Sequence, residues 1–347
     1  MKHLHLLAVL ALAALLVTAC RDEPASRHAE FYVFGTLTGV TLWDVDEAQA
    51  QQAFAQLQET FQRMHRDWHA WQPGELVRIN DAFARGEAAI TSEDIVELVR
   101  RSQELERLTG SRFNPAIGAL IALWGFHTSD YPIIGPPPEA DEIEALLAAR
   151  PSTLDIRIDG LQLTSDNPAV QLDFGAVAKG YAIDIACAQL RELGIENAIV
   201  NAGGDLRVIG SHGDRPWRIA VRAPGGGIVG SLETGRDEAI FTSGNYERFR
   251  QEETRRYPHI LDPRSGWPVE DLASVTVIAD EGLLADAAAT ALIVAGRSGW
   301  REVAHSLGLD QVLMIDDSGK VWMTRPMAER IELLDGIASE IVALQEE

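Results

Sequence analysis

Pairs of short strands joined by tight turns recur along this chain and restrict the folds that it can adopt. Residues 154–163 alternate between apolar and polar side chains on either side of Asp159-Gly160, which predicts a β-hairpin. Residues 311–315 and 321–324 flank a turn at 316–319 and predict a second hairpin in the same way. Folds in which helices strictly alternate with parallel strands are therefore disfavoured.

The remaining segments support the same interpretation. Further strands are predicted near residues 31–43, 198–200, 205–209, 217–222, 239–242 and 274–279. Helices are predicted near residues 47–67, 92–108, 140–149, 177–193, 283–294 and 300–307, and a loop enters an apolar helix within 113–125. Because strands outnumber helices and often follow one another directly, we predict an α+β fold with mixed, mainly antiparallel sheets and packed helices. The length allows one compact domain or two closely packed lobes.

The N-terminus has the pattern of an export signal. A basic start at Met1-Lys2-His3 precedes an apolar stretch over residues 6–17, and Thr18-Ala19 leads directly to Cys20. This stretch is short for a membrane span, and a cysteine at this point is typical of a lipoprotein processing site. An ordinary signal peptide that happens to end beside a cysteine is the alternative.

This pattern sets the expected organisation and location of the protein. We predict an exported protein, lipid-anchored to a bacterial membrane through Cys20 and facing the periplasm. The expected segments are a signal peptide at 1–19, the lipidated cysteine with its polar tether at 20–30, the folded domain at 31–335 and a C-terminal tail at 336–347. Cys187 then remains as a lone thiol in an apolar helical stretch, where we expect a buried small hydrophobic side chain.

The charge balance excludes some partners. The chain has 30 Lys and Arg residues against 52 Asp and Glu residues, which gives a formal net charge of −22. A broad nucleic-acid surface and electrostatic adhesion to anionic lipid are both disfavoured by this charge. An anionic nucleotide would need a bound cation or individually placed Lys and Arg side chains.

Two distant segments predict such a local site. Residues 173–181 run from an apolar strand into a helix, with small residues where backbone can approach a phosphate and Lys179 at the helix start. Asp286 and Thr290 lie four residues apart in a second helix, so they share one face with only alanines between them. Together they indicate an oxygen-ligand site for Mg²⁺ and hence nucleotide phosphate chemistry.

Other segments are weak when taken singly. Residues 201–205 and 241–246 contain glycine turns after strands, and residues 257–266 place His259 close to Asp262. A glycine turn is usually only a turn, and an isolated histidine is more often structural than catalytic. Asp286 by itself could be a carboxylate favoured by a helix dipole, and Thr290 a satisfied core hydroxyl.

The order and spacing of these segments resemble the ApbE family, the FAD:protein FMN transferases. The resemblance spans residues 31 to 322. It rests on Gly35-Thr36, residues 71–80, Gly118 with 123–126, residues 173–184, Gly203-Gly204, residues 242–244, residues 259–263, and Ala285-Asp286 with Thr290. The exported lipoprotein N-terminus is also common in the family.

The resemblance implies a specific activity and site. Such enzymes bind FAD with Mg²⁺, cleave the pyrophosphate, attach FMN to a Thr or Ser hydroxyl of an acceptor redox protein, and release AMP. By position, the implied cation ligands are the backbone oxygen of Ala176 and the side chains of Asp286 and Thr290. His259 is implied to help activate the acceptor hydroxyl. The implied flavin contacts are Phe34, Trp71, Arg112, Phe113, Asn114, Asp173, Lys179 and Leu261.

The chain departs from the family pattern at two positions, and two other functions are compatible with the same residues. Phe34 stands where the family usually has Met, and Ala289 stands where some relatives have an acidic residue. We therefore expect altered flavin packing and a cation that depends strongly on phosphate oxygens. A Mg²⁺-dependent FAD pyrophosphatase, with water as acceptor, would use the same residues. A lipoprotein that binds FAD without chemistry is the third possibility, although binding alone does not require His259 or the metal ligands.

Overall fold

The computed structural model describes residues 26–128 and 130–344. Its α-helices are α1 (Glu47–Asp67), α2 (Glu75–Ala84), α3 (Glu93–Leu108), α4 (Gly118–Trp124), α5 (Ala140–Ala148), α6 (Ala178–Glu192), α7 (Gly282–Ser306) and α8 (Arg325–Ala328). Its strands are β1 (Ser26–Val33), β2 (Thr36–Trp43), β3 (Ala89–Ile90), β4 (Ile133–Ile134), β5 (Ile156–Asp159), β6 (Gln162–Ser165), β7 (Ala198–Ala202), β8 (Asp205–Ile209), β9 (Arg218–Arg222), β10 (Ile228–Glu233), β11 (Asp237–Gly244), β12 (Phe249–Glu252), β13 (Arg255–Pro258), β14 (Ser274–Ala279), β15 (Gln311–Ile315), β16 (Val321–Thr324), β17 (Ile331–Leu333) and β18 (Ser339–Val342). None of the helices in these ranges is both long and apolar enough to cross a membrane.

A nine-stranded sheet forms the centre of the fold, in the order β1-β2-β7-β8-β11-β14-β15-β16-β18. Neighbouring strands are antiparallel except β16 and β18, which are parallel. Three small sheets, β17-β10-β9, β13-β12-β4 and β3-β6-β5, surround it. The predicted α+β class with mainly antiparallel sheets is confirmed.

The central sheet is buried on both faces. Along β11, Ala239 and Phe241 pack into a core shared with α1, α3, α6 and α7, because alternate side chains of a strand point to opposite faces. Ile240 points the other way, into a second core under the β17-β10-β9 sheet. A third apolar cluster, which includes Trp124, Tyr257 and Leu261, joins α4 and α5 to the β12–β13 hairpin.

Several predicted elements differ in detail from the structure. The hairpins at Asp159-Gly160 and at 316–319 are confirmed as β5–β6 and β15–β16. The strand predicted over 31–43, with interruptions at Gly35 and Gly39, is two strands. Phe34 and Gly35 adopt φ of 55° and 70° and turn the chain into the β1–β2 hairpin, whereas Gly39 lies within β2. The two helices predicted within 283–307 form one element, α7, with a kink at Gly296 (φ 62°).

The sheet extends beyond the predicted domain limits at both ends. β1 pairs with β2 from Ser26 onward, and β18 pairs with β16 within the segment predicted to be a tail. The limits of 31 and 335 are therefore too narrow, since main-chain hydrogen bonds tie both flanking segments to the sheet. The predicted signal peptide and Cys20 lie outside the described residues. Cys187 is fully buried, as expected.

A close crossing of two helices carries the first half of α7 to the predicted cation site. A Cβ placed on Gly180 of α6 would lie 2.1 Å from the carbonyl oxygen of Gly282, at the start of α7. Only glycine permits this approach. The Asp184 carboxylate also accepts the N–H groups of Gly282 and Leu283, at 2.7 and 2.9 Å, and so caps α7. One turn further along α7, Asp286 faces the start of α6.

Candidate active site

One cleft of about 580 Å³ is lined by every residue predicted to act in the site. Its walls come from the β1–β2 turn, the 173–178 turn before α6, the first half of α7, the end of β11, and residues 259–261 after β13. The predicted residues on these walls are Phe34, Trp71, Arg112, Phe113, Asn114, Asp173, Ala176, Lys179, His259, Leu261, Asp286 and Thr290. Residues from distant parts of the sequence are thus brought together as the motifs suggested.

Asp173 organises the entrance to α6. Its Oδ2 accepts a hydrogen bond from the indole Nε1 of Trp71 at 2.7 Å, and its Oδ1 accepts from the backbone N–H of Gly175 at 2.8 Å. The first bond fixes the Trp71 ring on the cleft wall, where the ring also lies 5.1 Å from that of His127. The second bond shapes the turn that contains Ala176. Both carboxylate oxygens are therefore engaged within the protein.

Lys179 is held by a residue that the sequence analysis did not select. Its Nζ forms an ion pair with Oδ2 of Asp205, whose Oδ1 accepts from the backbone N–H of Thr242 at 2.9 Å. Burial lowers the pKa of Lys179, but the charges of Asp205 and Asp286 outweigh burial and raise it overall. Lys179 is therefore charged at neutral pH. Asp205 directly follows Gly203-Gly204 in the sequence. That turn was interpreted only as a place where backbone could approach a ligand, so the carboxylate beside it was overlooked.

Asp286 and Thr290 present oxygen atoms from one face of α7. Asp286 is 5% exposed and accepts from the backbone N–H of Gly180 at 2.9 Å. Burial raises the pKa of the Asp286 carboxyl to about 6, partly offset by Lys179. The Oγ1 of Thr290 lies 3.0 Å from the Oγ of Ser243, a second hydroxyl on the cleft wall. Ala176, half-buried in the turn before α6, lines the same cleft.

This donor set is compatible with a hard cation. The described residues contain no group of three or more His, Cys, Asp or Glu side chains that could bind a metal by themselves. One buried carboxylate, hydroxyl oxygens and a backbone oxygen are nevertheless the ligand types that suit Mg²⁺, which usually completes its shell with water and substrate phosphates. A bound cation would also stabilise the ionised form of the Asp286 carboxyl, which burial disfavours.

His259 lies at the end of the β12–β13 hairpin, with its ring at the cleft. Its backbone N–H donates to the carbonyl of Arg248 at 3.0 Å, and within the described chain its Nδ1 has no hydrogen-bond partner. Burial, followed by the charges of Arg248 and Lys179, lowers the pKa of His259 to about 4. The imidazole is therefore neutral at neutral pH and able to accept a proton. Arg248 was not selected from the sequence.

The segment 112–114 forms a part of the wall that is tied to neighbouring segments. Arg112 pairs with Glu302 at 3.2 Å, and Phe113 is 2% exposed. The Asn114 side chain donates to the carbonyl of Pro151 at 2.9 Å and accepts from the N–H of Ala116 at 2.9 Å. The Asn114 amide therefore holds the loop, and Arg112, Phe113 and Asn114 all line the cleft.

Phe34 and Leu261 are apolar side chains that line the cleft. Phe34 occupies the β1–β2 turn, where its N–H donates to Nδ1 of His65 at 3.2 Å and its ring meets the edge of Phe61 at 6.1 Å. Leu261 is 6% exposed and belongs to the apolar cluster around Trp124. The cleft thus combines aromatic walls, Lys and Arg side chains and a cluster of carboxylate and hydroxyl oxygens.

Comparison with known proteins assigns the class. The model of the ApbE family matches residues 34–313. The FAD:protein FMN transferase of Rhodobacter capsulatus is 44% identical over 337 residues, which cover 94% of this chain and 63% of that protein. The FAD:protein FMN transferase of Vibrio cholerae is 29% identical over 322 residues, covering 90% of this chain and 95% of that protein.

Solved structures give the same result. The flavin transferase ApbE from Vibrio cholerae has a TM-score of 0.77 at 28% identity and covers 89% of this chain and 100% of that chain. The ApbE protein from Thermotoga maritima has a TM-score of 0.79 at 28% identity, covering 88% and 99%. Fold and relatives together define an enzyme of the flavin-transferase class. The chain belongs to the ApbE family, and the resemblance noted in its sequence is confirmed.

Proposed function

We propose that this protein is a Mg²⁺-dependent FAD:protein FMN transferase that modifies a Thr or Ser hydroxyl of an acceptor protein and releases AMP. The observation that carries the proposal is the convergence of Asp286, Thr290, Lys179 and His259 on one cleft with aromatic walls. The names of its relatives support flavin transfer. FAD is the substrate, and redox-protein subunits are the proposed acceptors.

The reaction replaces one phosphorus–oxygen bond with another. The acceptor hydroxyl oxygen attacks the phosphorus of the FMN half, and the bond from that phosphorus to the bridging oxygen breaks. The bridging oxygen and its electron pair leave with AMP, while the hydroxyl proton passes to a base. Bound Mg²⁺, held by Asp286, Thr290 and the backbone oxygen of Ala176, would supply charge stabilisation to the phosphates.

The residues of the chain have separate tasks in this scheme. Lys179 brings a permanent positive charge to the phosphates, and Asp205 fixes its position through the ion pair. His259 is neutral at neutral pH and takes the proton of the acceptor hydroxyl. The Trp71 ring, held by Asp173, and the Phe34 ring provide flat surfaces for the flavin or the adenine.

A direct assay tests the proposal. The chain from Ala25 onward is mixed with FAD, Mg²⁺ and a purified flavoprotein domain with an exposed Thr, and the products are separated on a denaturing gel. We expect a fluorescent covalent FMN adduct, confirmed by intact mass, that is absent when EDTA replaces Mg²⁺. Free FMN and AMP with no adduct would instead support the pyrophosphatase. Recovery of intact FAD, bound but unprocessed, would support a carrier and refute both enzyme proposals.

The N-terminal sequence extends the proposal to the location of the protein. We propose export and anchoring in a bacterial membrane through lipidated Cys20, facing the periplasm, because the apolar stretch ends at Thr18-Ala19-Cys20. Wild-type protein isolated from the membrane should carry the added mass of the lipid, and Cys20→Ser should lack it, by intact mass spectrometry. Mature wild-type protein without that added mass would refute anchoring through this residue.

A further inference from the structure

Arg248 is a cleft-lining cation that forms no ion pair with any carboxylate in the part of the chain that the structure describes. The other cleft-lining Lys and Arg side chains each have an acidic partner: Lys179 with Asp205, Arg112 with Glu302 at 3.2 Å, and Arg222 with Glu247 at 3.7 Å. In a protein with 52 acidic residues, an unpaired guanidinium in a cleft is available for an external anion.

The position of Arg248 relates it directly to His259. The β12–β13 pairing places Phe249 opposite Pro258, and Arg248 and His259 lie directly beyond these two strand ends. The N–H of His259 donates to the carbonyl of Arg248 at 3.0 Å, which continues the ladder by one step. Residues directly opposite each other in an antiparallel pair project their side chains to the same face. The hairpin therefore delivers a cation and an imidazole side by side.

The surroundings of Arg248 leave its guanidinium accessible from the cleft. The Cζ atom lies 5.8 Å from the ring centroid of Tyr131, and Nη2 lies 3.7 Å from the place where a Cβ on Gly35 would sit. The guanidinium thus lies near both the β1–β2 turn and Tyr131. These contacts support the side chain without using its hydrogen-bond donors.

We propose that Arg248 binds the phosphate of FAD that is transferred and holds it next to His259. This inference rests on the proposed FMN transfer. The guanidinium would donate to the non-bridging oxygens of the FMN phosphate, while the acceptor hydroxyl attacks that phosphorus and the bond to the bridging oxygen of AMP breaks. The hydroxyl proton goes to His259, and the negative charge that develops on the phosphate is stabilised by Arg248.

This arrangement also links substrate binding to the strength of the base. Burial is the largest cause of the low pKa of His259 in the free protein. The positive charges of Arg248 and Lys179 lower this pKa further. A phosphate against Arg248 would offset that charge and raise the pKa of His259 towards its ordinary value. The base would therefore become stronger only when the group to be transferred is in place.

A ligand series separates phosphate binding from simple packing. Arg248→Gln and Arg248→Lys are compared with wild type for their affinity for riboflavin, FMN and FAD in EDTA, measured by flavin fluorescence. The matched control is Arg256→Gln, on the same hairpin, where an exposed guanidinium lies over the Phe249 ring at 4.6 Å outside the cleft.

We expect Arg248→Gln to weaken binding of FMN and FAD by about 10-fold or more, the usual effect of losing charge-assisted hydrogen bonds, and to leave riboflavin affinity unchanged. The kcat for transfer should fall about 10²-fold, with partial recovery in Arg248→Lys. An NMR titration should show a higher pKa for His259 in free Arg248→Gln. Arg256→Gln should behave as wild type in each measurement.

Two results would overturn the inference. Equal losses of riboflavin and FAD affinity would show that Arg248 only supports the cleft wall through Tyr131. Unchanged affinities with unchanged kcat would show that it does not contact the phosphate. The binding series needs no acceptor, so a wild-type protein that failed to transfer FMN would refute the proposed function while the series still decided whether Arg248 binds phosphate.

Discussion

Replacing Asp286 with Asn should reduce FMN transfer by about 10³-fold or more, because metal-based charge stabilisation in phosphoryl transfer accounts for several kcal/mol of barrier lowering. Asp286 is the only carboxylate in the proposed ligand set, and it is buried where α7 meets α6. Asn keeps the size of the side chain and an oxygen that can accept from the Gly180 N–H. The loss should therefore arise from the missing charge and not from a disturbed helix contact.

Metal dependence of FAD binding provides a readout apart from turnover. In wild type without acceptor, Mg²⁺ should tighten FAD binding relative to EDTA, since the cation joins Asp286 to the substrate phosphates. In Asp286→Asn the two affinities should be equal. The control is Asp280→Asn, the same change at an exposed aspartate just before α7. In this variant Mg²⁺ should still tighten FAD binding. An Asp286→Asn protein with wild-type transfer would remove Asp286 from the metal site.

Local patterns in the sequence were sufficient to predict many of the helices and hairpins. The spacing of Asp286 and Thr290 placed both on one face of a helix, and α7 presents them to the same cleft. The turn residues at Asp159-Gly160 predicted the β5–β6 hairpin correctly. At Phe34-Gly35 the sequence predicts only an interruption at Gly35 and not a turn, because a bulky aromatic residue with positive φ has no sequence signature and the surrounding residues favour strand.

Partners that depend on strand pairing could not be predicted. Asp205 meets Lys179 because β8 lies near the start of α6, and Arg248 meets His259 through the register of the β12–β13 hairpin. Neither relationship is visible as a spacing in one segment. The resemblance to the family implies a flavin contact for Asp173, but the hydrogen bonds by which its carboxylate holds Trp71 and the turn before α6 are visible only in the structure.

His259 should be essential for transfer but not for FAD binding. We expect His259→Gln to retain FAD affinity within about 3-fold and to lower the rate of transfer by about 10²- to 10⁴-fold, the range expected for loss of a general base. The Nδ1 atom of His259 makes no hydrogen bond within the described chain. Replacing the ring should therefore leave the other residues of the FAD-binding cleft in place. His305→Gln, at an exposed position in the last turn of α7, is the matched control.

The pH profile gives an independent test of the same role. A general base works in its neutral form, so transfer should be lost as the pH falls through the pKa of His259. In saturating Mg²⁺, where the bound cation would keep the Asp286 carboxylate ionised, kcat/KM should stay nearly constant from about pH 8 to about pH 5 and fall below that, because the pKa of His259 is about 4 in the free protein. In the FAD complex, phosphate next to Arg248 should move the acid limb of kcat to higher pH than that of kcat/KM. His259→Gln should show neither limb, and a variant that kept the wild-type profile would exclude His259 as the proton acceptor.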